Sequence, residues 1–90
     1  MTLFNLGQLV ATPGALAEIE ASGDSLVGYL NRHVTGDWGE LDKHDQRENE
    51  LGISHNLRIL SAYTLSSGMK IWIITEWDRS VTTVMLPGEY

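Results

Sequence analysis

The stretch Leu57–Pro87, LRILSAYTLSSGMKIWIITEWDRSVTTVMLP, decides the fold. Ser66-Ser67-Gly68 is a short glycine-containing turn between two runs rich in Ile, Tyr, Thr and Trp, the pattern of a β-hairpin. Pairing Leu65 with Met69 across that turn sets Tyr63 opposite Ile71, Ala62 opposite Trp72, Leu60 opposite Ile74 and Arg58 opposite Glu76. This register puts small beside large and plus beside minus. Asp78-Arg79 then turns the chain into a further strand, Ser80 to Leu86, and Pro87-Gly88 stops it, so the stretch reads as an antiparallel three-stranded meander.

Side-chain alternation divides the hairpin into two faces. One carries Leu57, Ile59, Tyr63, Leu65, Ile71, Ile73 and Trp77, an expected core face in which Trp77 packs inward. The other carries Leu60, Ala62, Trp72 and Ile74 at its centre, ringed by Arg58, Thr64, Lys70 and Glu76. Burying side chains of this size contributes about 1.5–3 kcal/mol each, so a sheet that is apolar on both sides calls for two covers. The preceding residues offer little more than one. Leu60, Trp72 and Ile74 are therefore expected to meet a second copy of the chain or a protein partner, the alternative being cover within the chain by the amino-terminal segment or by a helix that reaches both sides of a twisted sheet.

Upstream, Leu3–Ala11 reads as a strand weakened at Gly7. Thr12-Pro13 opens a helix over Pro13–Ala21, since threonine caps free amides and proline suits the first helical position. Ser25–Val34 forms a second helix with Leu26, Leu30 and Val34 on one stripe, stopped at Gly36. Trp38, between Gly36 and Gly39, is expected to plug a gap. A third helix spans Asp42–Gly52, and its nine consecutive polar residues, Asp42 to Glu50, leave only Leu41, Leu51 and Ile53 for the core. Asp42 is its cap, and Lys43 and Arg47 are expected to pair with neighbouring acids. The fold class that results is α+β: two or three short helices packed on an antiparallel sheet, in a single small domain over residues 1–90.

Composition limits the function. Ninety residues make one modest core, burying about 60–65% of the surface that the unfolded chain exposes. The net charge is −6, of which the segment from Asp37 to Glu50 supplies −4 through six acids and two bases. The basic residues are scattered, which opposes direct non-specific binding to nucleic acid, a contact that needs clustered lysine and arginine. Asp42, Asp45 and Glu48 lie on a helix face that reads first as solvated surface, and they are the candidates if that face instead contacts a basic protein. No apolar run is long enough for a membrane span, no secretory leader is expected ahead of the turn at Pro13-Gly14, and the lack of cysteine suits a reducing cytoplasm. His33, His44 and His55 lie eleven residues apart, but glycines interrupt the path and no close-set ligand pair occurs, so neither a metal site nor a cofactor is expected.

The strings LGQLVATPGAL, RHVTGDWGELDKHDQRENE, RILSAY and KIWIITEWDRSVTTVMLPGEY resemble a family of short plasmid-related bacterial proteins that carries no assigned activity. The resemblance spans nearly the whole chain. It implies a bacterial, cytoplasmic protein of a plasmid or mobile element, and it transfers no functional residue. The leading expectation is a non-catalytic interaction or accessory protein acting through the apolar sheet face and the acidic helix. The alternative is a small ribonuclease, because helices followed by an antiparallel meander are similar in layout to RelE-type toxins and barnase-like nucleases. In that case His33 or His44 would act as base, Arg58 or Arg79 would hold phosphate, and Thr75 or Thr83 would donate from the sheet.

Overall fold

The computed structural model describes every residue from Met1 to Tyr90. In chain order it contains β1 (Gln8–Ala11), α1 (Pro13–Ser22), α2 (Leu26–Val34), α3 (Lys43–His55), β2 (Ile59–Thr64), β3 (Lys70–Thr75) and β4 (Val81–Met85), followed by one 3-10 turn, Pro87–Glu89. The fold is α+β. Four strands form one sheet in the order β1-β4-β3-β2. No helix is long and apolar enough to cross a membrane.

The hairpin has the register that its side chains demand. Tyr63 pairs with Ile71, Ala62 with Trp72 and Leu60 with Ile74, and the Leu65 amide donates to the Met69 carbonyl at 2.7 Å. β4 continues the meander, with Ile74 opposite Thr83 and Trp72 opposite Met85. The amino-terminal strand is present but shorter than Leu3–Ala11, and it runs parallel to β4, so the sheet is mixed. Gly7 sets the break. Its φ is +66°, and a Cβ there would collide with the backbone of Arg79 and Ser80. Before it the chain turns under the helices, where Leu3 donates to the Val34 carbonyl.

The helix caps follow from their sequences. Thr12 accepts from the Ala15 amide with Pro13 in the first turn, and Ser25 accepts from Gly28. Asp42 accepts from Asp45 at 2.8 Å, as expected of a carboxylate ahead of a polar helix. α3, however, continues past Gly52 to His55 and ends on Asn56 in the left-handed conformation. Gly52 is a contact rather than a stop: a Cβ there would sit 2.7 Å from Ile59 Cδ1. The helix packs through Asn49 and Gly52, whereas Leu51 faces outward at 50% exposure. The lateral ion pairs expected of Lys43 and Arg47 are absent, and His44 with Glu48 at 3.6 Å is the one acid–base approach along this helix.

α1 and α2 cover one face of the sheet, joining Ala15, Ile19 and Leu30 to Tyr63, Leu65, Ile71, Ile73 and Val84 in the core. Trp38 is buried beside Phe4 and His33, as its position between two glycines suggested. Two members of the expected core face fall outside it. Leu57 precedes β2, and Trp77 lies in the turn after β3 at 63% exposure. Alternation holds only while the backbone stays extended, and both residues sit beyond the strand ends.

Candidate interaction surface

On the side of the sheet away from α1 and α2, the paired positions give two rows across the strands: Val10, Thr83, Ile74 and Leu60, then Met85, Trp72 and Ala62. No helix covers them. The segment after β4 curls back instead, so that the Tyr90 ring meets the Trp72 ring edge-on at 5.8 Å. The Arg58 guanidinium lies 5.5 Å from the same tyrosine ring and donates to its hydroxyl. Tyr90 thus bridges Trp72 and Arg58 across the Leu60–Ile74 pair. Ile74 is only 3% exposed, so a single chain already covers it, whereas Trp72 and Leu60 are half-buried.

Beside Leu60 the surface falls into a groove of about 350 Å³ between α3 and the start of β2. Leu41, Leu57 and Leu60 provide its apolar lining, His44, Asp45 and Glu48 its α3 side, and Arg58 the opposite lip. Asn49 fixes the helix to the strand. Its side-chain amide donates to the Leu60 carbonyl at 2.6 Å and its carbonyl accepts from the Leu60 amide at 3.0 Å, the two bonds a neighbouring strand would make. The acidic helix and the apolar sheet face, which look unrelated along the chain, therefore meet at one edge.

The expected interaction residues divide accordingly. Leu60, Asp45 and Glu48 line the groove, Trp72 lies on the adjoining face, Ile74 supports that face from beneath, and Asp42 is spent on capping α3. Tyr90 and Asn49 had no counterpart in the sequence reading, and Leu41, expected in the core, lines the groove instead. Tyr90 follows a proline-glycine stop, and Asn49 is one polar residue among nine. A larger concavity of about 480 Å³ opens beside α2, yet its polar groups satisfy one another: Asp24 takes hydrogen bonds from Tyr29 and from both the amide and the hydroxyl of Ser66.

The residues proposed for ribonuclease chemistry do not form one site. His33 and Thr75 do touch, but in the core, where both are fully buried. His33 Nε2 lies 2.9 Å from Thr75 Oγ1 and Nδ1 lies 2.6 Å from Ser61 Oγ. Thr75 Oγ1 is 2.7 Å from Thr82 Oγ1, and the Thr82 hydroxyl donates to the Leu6 carbonyl. Because Thr82 spends its only proton on that carbonyl, Thr75 must donate to Thr82, His33 Nε2–H to Thr75, and Ser61 to Nδ1. The ring is neutral, and burial pulls its pKa from 6.5 down to about 4. His44 and Arg58 share the groove instead. Arg79 is committed to structure, donating to the carbonyls of Gly52 at 2.7 Å, Leu57 at 2.6 Å and Glu76 at 3.1 Å. Thr83 lies on the outer face, one strand away from the buried histidine.

No family model, curated protein or solved structure matches this chain.

Proposed function

We propose that this chain is a non-catalytic interaction or accessory protein of a bacterial plasmid or mobile element, and that it docks a basic protein through α3 and the outer sheet face. The observation carrying this reading is the continuity of the groove with that face: Leu41, Leu57 and Leu60 lie beside Asp45 and Glu48, and Trp72 adjoins them. An apolar centre with a charged rim is the usual anatomy of a protein interface. The acids supply attraction and orientation toward a positive surface, including one that otherwise holds nucleic acid, while the leucines and Trp72 supply burial.

The test is affinity capture from a bacterial host with the native chain and two folded variants, Trp72→Lys and the charge reversal Asp45→Lys/Glu48→Lys. One basic protein retained by the native chain, lost with both variants and displaced by DNA supports the reading. Capture that is indifferent to both variants refutes it. The second reading, a small ribonuclease, is favoured by a single observation, that His44 and Arg58 line the same groove. The acids beside them oppose it, because RNA cleavage calls for a basic cleft. Incubation with RNA decides this reading: cleavage abolished by His44→Ala and by Arg58→Ala supports it, and intact RNA discards it.

A further inference from the structure

The two edges of the sheet are finished differently. On β2, Leu60 gives both its outward backbone groups to Asn49, and Ala62 donates to the Trp38 carbonyl at 3.1 Å while accepting from the Glu40 amide at 2.8 Å. That edge is sealed up to Thr64, its last residue. On β1, Gln8 donates to Ser80 at 2.9 Å and Thr12 to Val84 at 3.0 Å. In this parallel register Val10 also points its amide at β4, so Leu9 and Ala11 turn their N–H and C=O groups away from the sheet. The strand order ends at β1 and nothing in the chain pairs beyond it. Edge strands are normally protected by short length, charge, proline, a bulge or a cover, and of these β1 has only its length of four residues. Gln8–Ala11 has no charge and no proline, and Leu9 and Val10 are 51% and 41% exposed.

We infer that β1 is a dimerisation edge, at which two copies of the chain pair antiparallel about a two-fold axis to make one continuous eight-stranded sheet. The outward-facing residues sit two apart, as a two-fold requires. Leu9 faces Ala11 of the partner subunit and exchanges both backbone hydrogen bonds with it, and the symmetric pair doubles them. Val10 then meets its own counterpart at the closer, non-hydrogen-bonded position on the outer face.

Charge argues for a second copy rather than another occupant. The acidic segment from Asp37 to Glu50 lies along the β2 edge, at the far side of the sheet. Joining at β1 keeps the two acidic segments roughly 30 Å apart at strand spacing, several screening lengths in physiological salt. A basic partner would be drawn to α3 and away from uncharged β1. The sealed β2 edge also makes the assembly close at two copies, since each has one open edge. So short a strand pair buries little surface, which makes the dimer a weak one that forms with rising concentration. This inference stands apart from the docking of a basic protein, and it would set two such outer faces side by side.

Light scattering across a concentration series, together with amide hydrogen exchange, tests it. The expected result is a monomer–dimer equilibrium in which the Leu9 and Ala11 amides become protected as concentration rises, while those of Gln8 and Val10 are protected throughout by β4. Val10→Lys, which brings two ammonium groups together at the axis, and Leu9→Pro, which removes an outward donor without touching the β4 ladder, should each give a folded monomer by circular dichroism. Trp72→Lys should leave the dimer intact. A monomer at high micromolar concentration with Leu9 and Ala11 exchanging freely overturns the inference. So does a dimer that survives Val10→Lys, or one that Trp72→Lys disperses, because the contact is then elsewhere.

Discussion

His33 is a titratable residue fully buried at the centre of a polar network. Its ring joins α2 to β2 and β3, and through Thr75 and Thr82 to the carbonyl of Leu6. In the folded chain it takes up a proton only near pH 4, against 6.5 when unperturbed. Between these values the unfolded state binds more protons, so stability rises with pH across that window. The contribution is complete above 6.5, falls as pH drops toward 4, and amounts to about 3 kcal/mol in all. Urea titrations at pH 7 and pH 4.5 should differ in the same direction, and His33→Gln should flatten that dependence. His33→Leu leaves the Ser61 and Thr75 hydroxyls buried with one partner fewer and is expected to cost about 2–4 kcal/mol at neutral pH by denaturant unfolding. A histidine and a threonine 42 positions apart give no sign along the chain that they will touch. The histidine and threonine named as candidates for ribonuclease chemistry form a satisfied core contact instead.

At the level of elements, α3 is held by side-chain hydrogen bonds rather than by an apolar stripe, among them the Trp38 indole donating to Glu50 at 2.9 Å. Asn49 binds the edge of β2, and Arg79, itself in the left-handed conformation at φ +59°, binds the Gly52 carbonyl in the last turn of the helix. That carbonyl already accepts from the Asn56 and Leu57 amides, so the guanidinium adds a further bond at the helix end, where a cation suits the negative end of the helix dipole. Asn49→Ala should destabilise the chain by about 1–3 kcal/mol and expose the β2 edge, seen as a lower denaturation midpoint with association that grows with concentration. Arg79→Ala should cost about 1–3 kcal/mol and reduce helical circular dichroism as the end of α3 frays. The hairpin register was legible because each cross-strand pair constrains the next, whereas the parallel docking of β1 on β4 was not. It depends on a meeting of residues more than seventy positions apart, at Gly7 and Ser80, for which local pattern holds no signal.

For the whole molecule, cover is distributed unequally between the two sides of the sheet. α1 and α2 close one side, and the other has only Tyr90, laid over Trp72 and Arg58. Tyr90→Ala should therefore leave the core intact, with unfolding free energy lowered by no more than about 1–2 kcal/mol, while dye binding to the newly bared Trp72 surface rises. Reversing Asp45 and Glu48 should act differently: the association rate with a basic partner falls and loses much of its salt dependence, while folding stability drops by about 1 kcal/mol because Asp45 lies in the first turn of α3. The first variant probes the apolar part of the surface and the second its field.

The strand runs, their turn, their pairing and the three helix starts were all written in Leu57–Pro87 and in Thr12-Pro13, Ser25 and Asp42, because each rests on contacts between residues near in sequence. Tertiary structure decided what those contacts cannot reach: that β1 lies parallel to β4, that Trp77 stays in water while Tyr90 folds over Trp72, that α3 attaches through an asparagine, and that one sheet edge is sealed while the other is open. Local sequence sets which side chains share a face. Which faces meet depends on the packing of the entire chain at once.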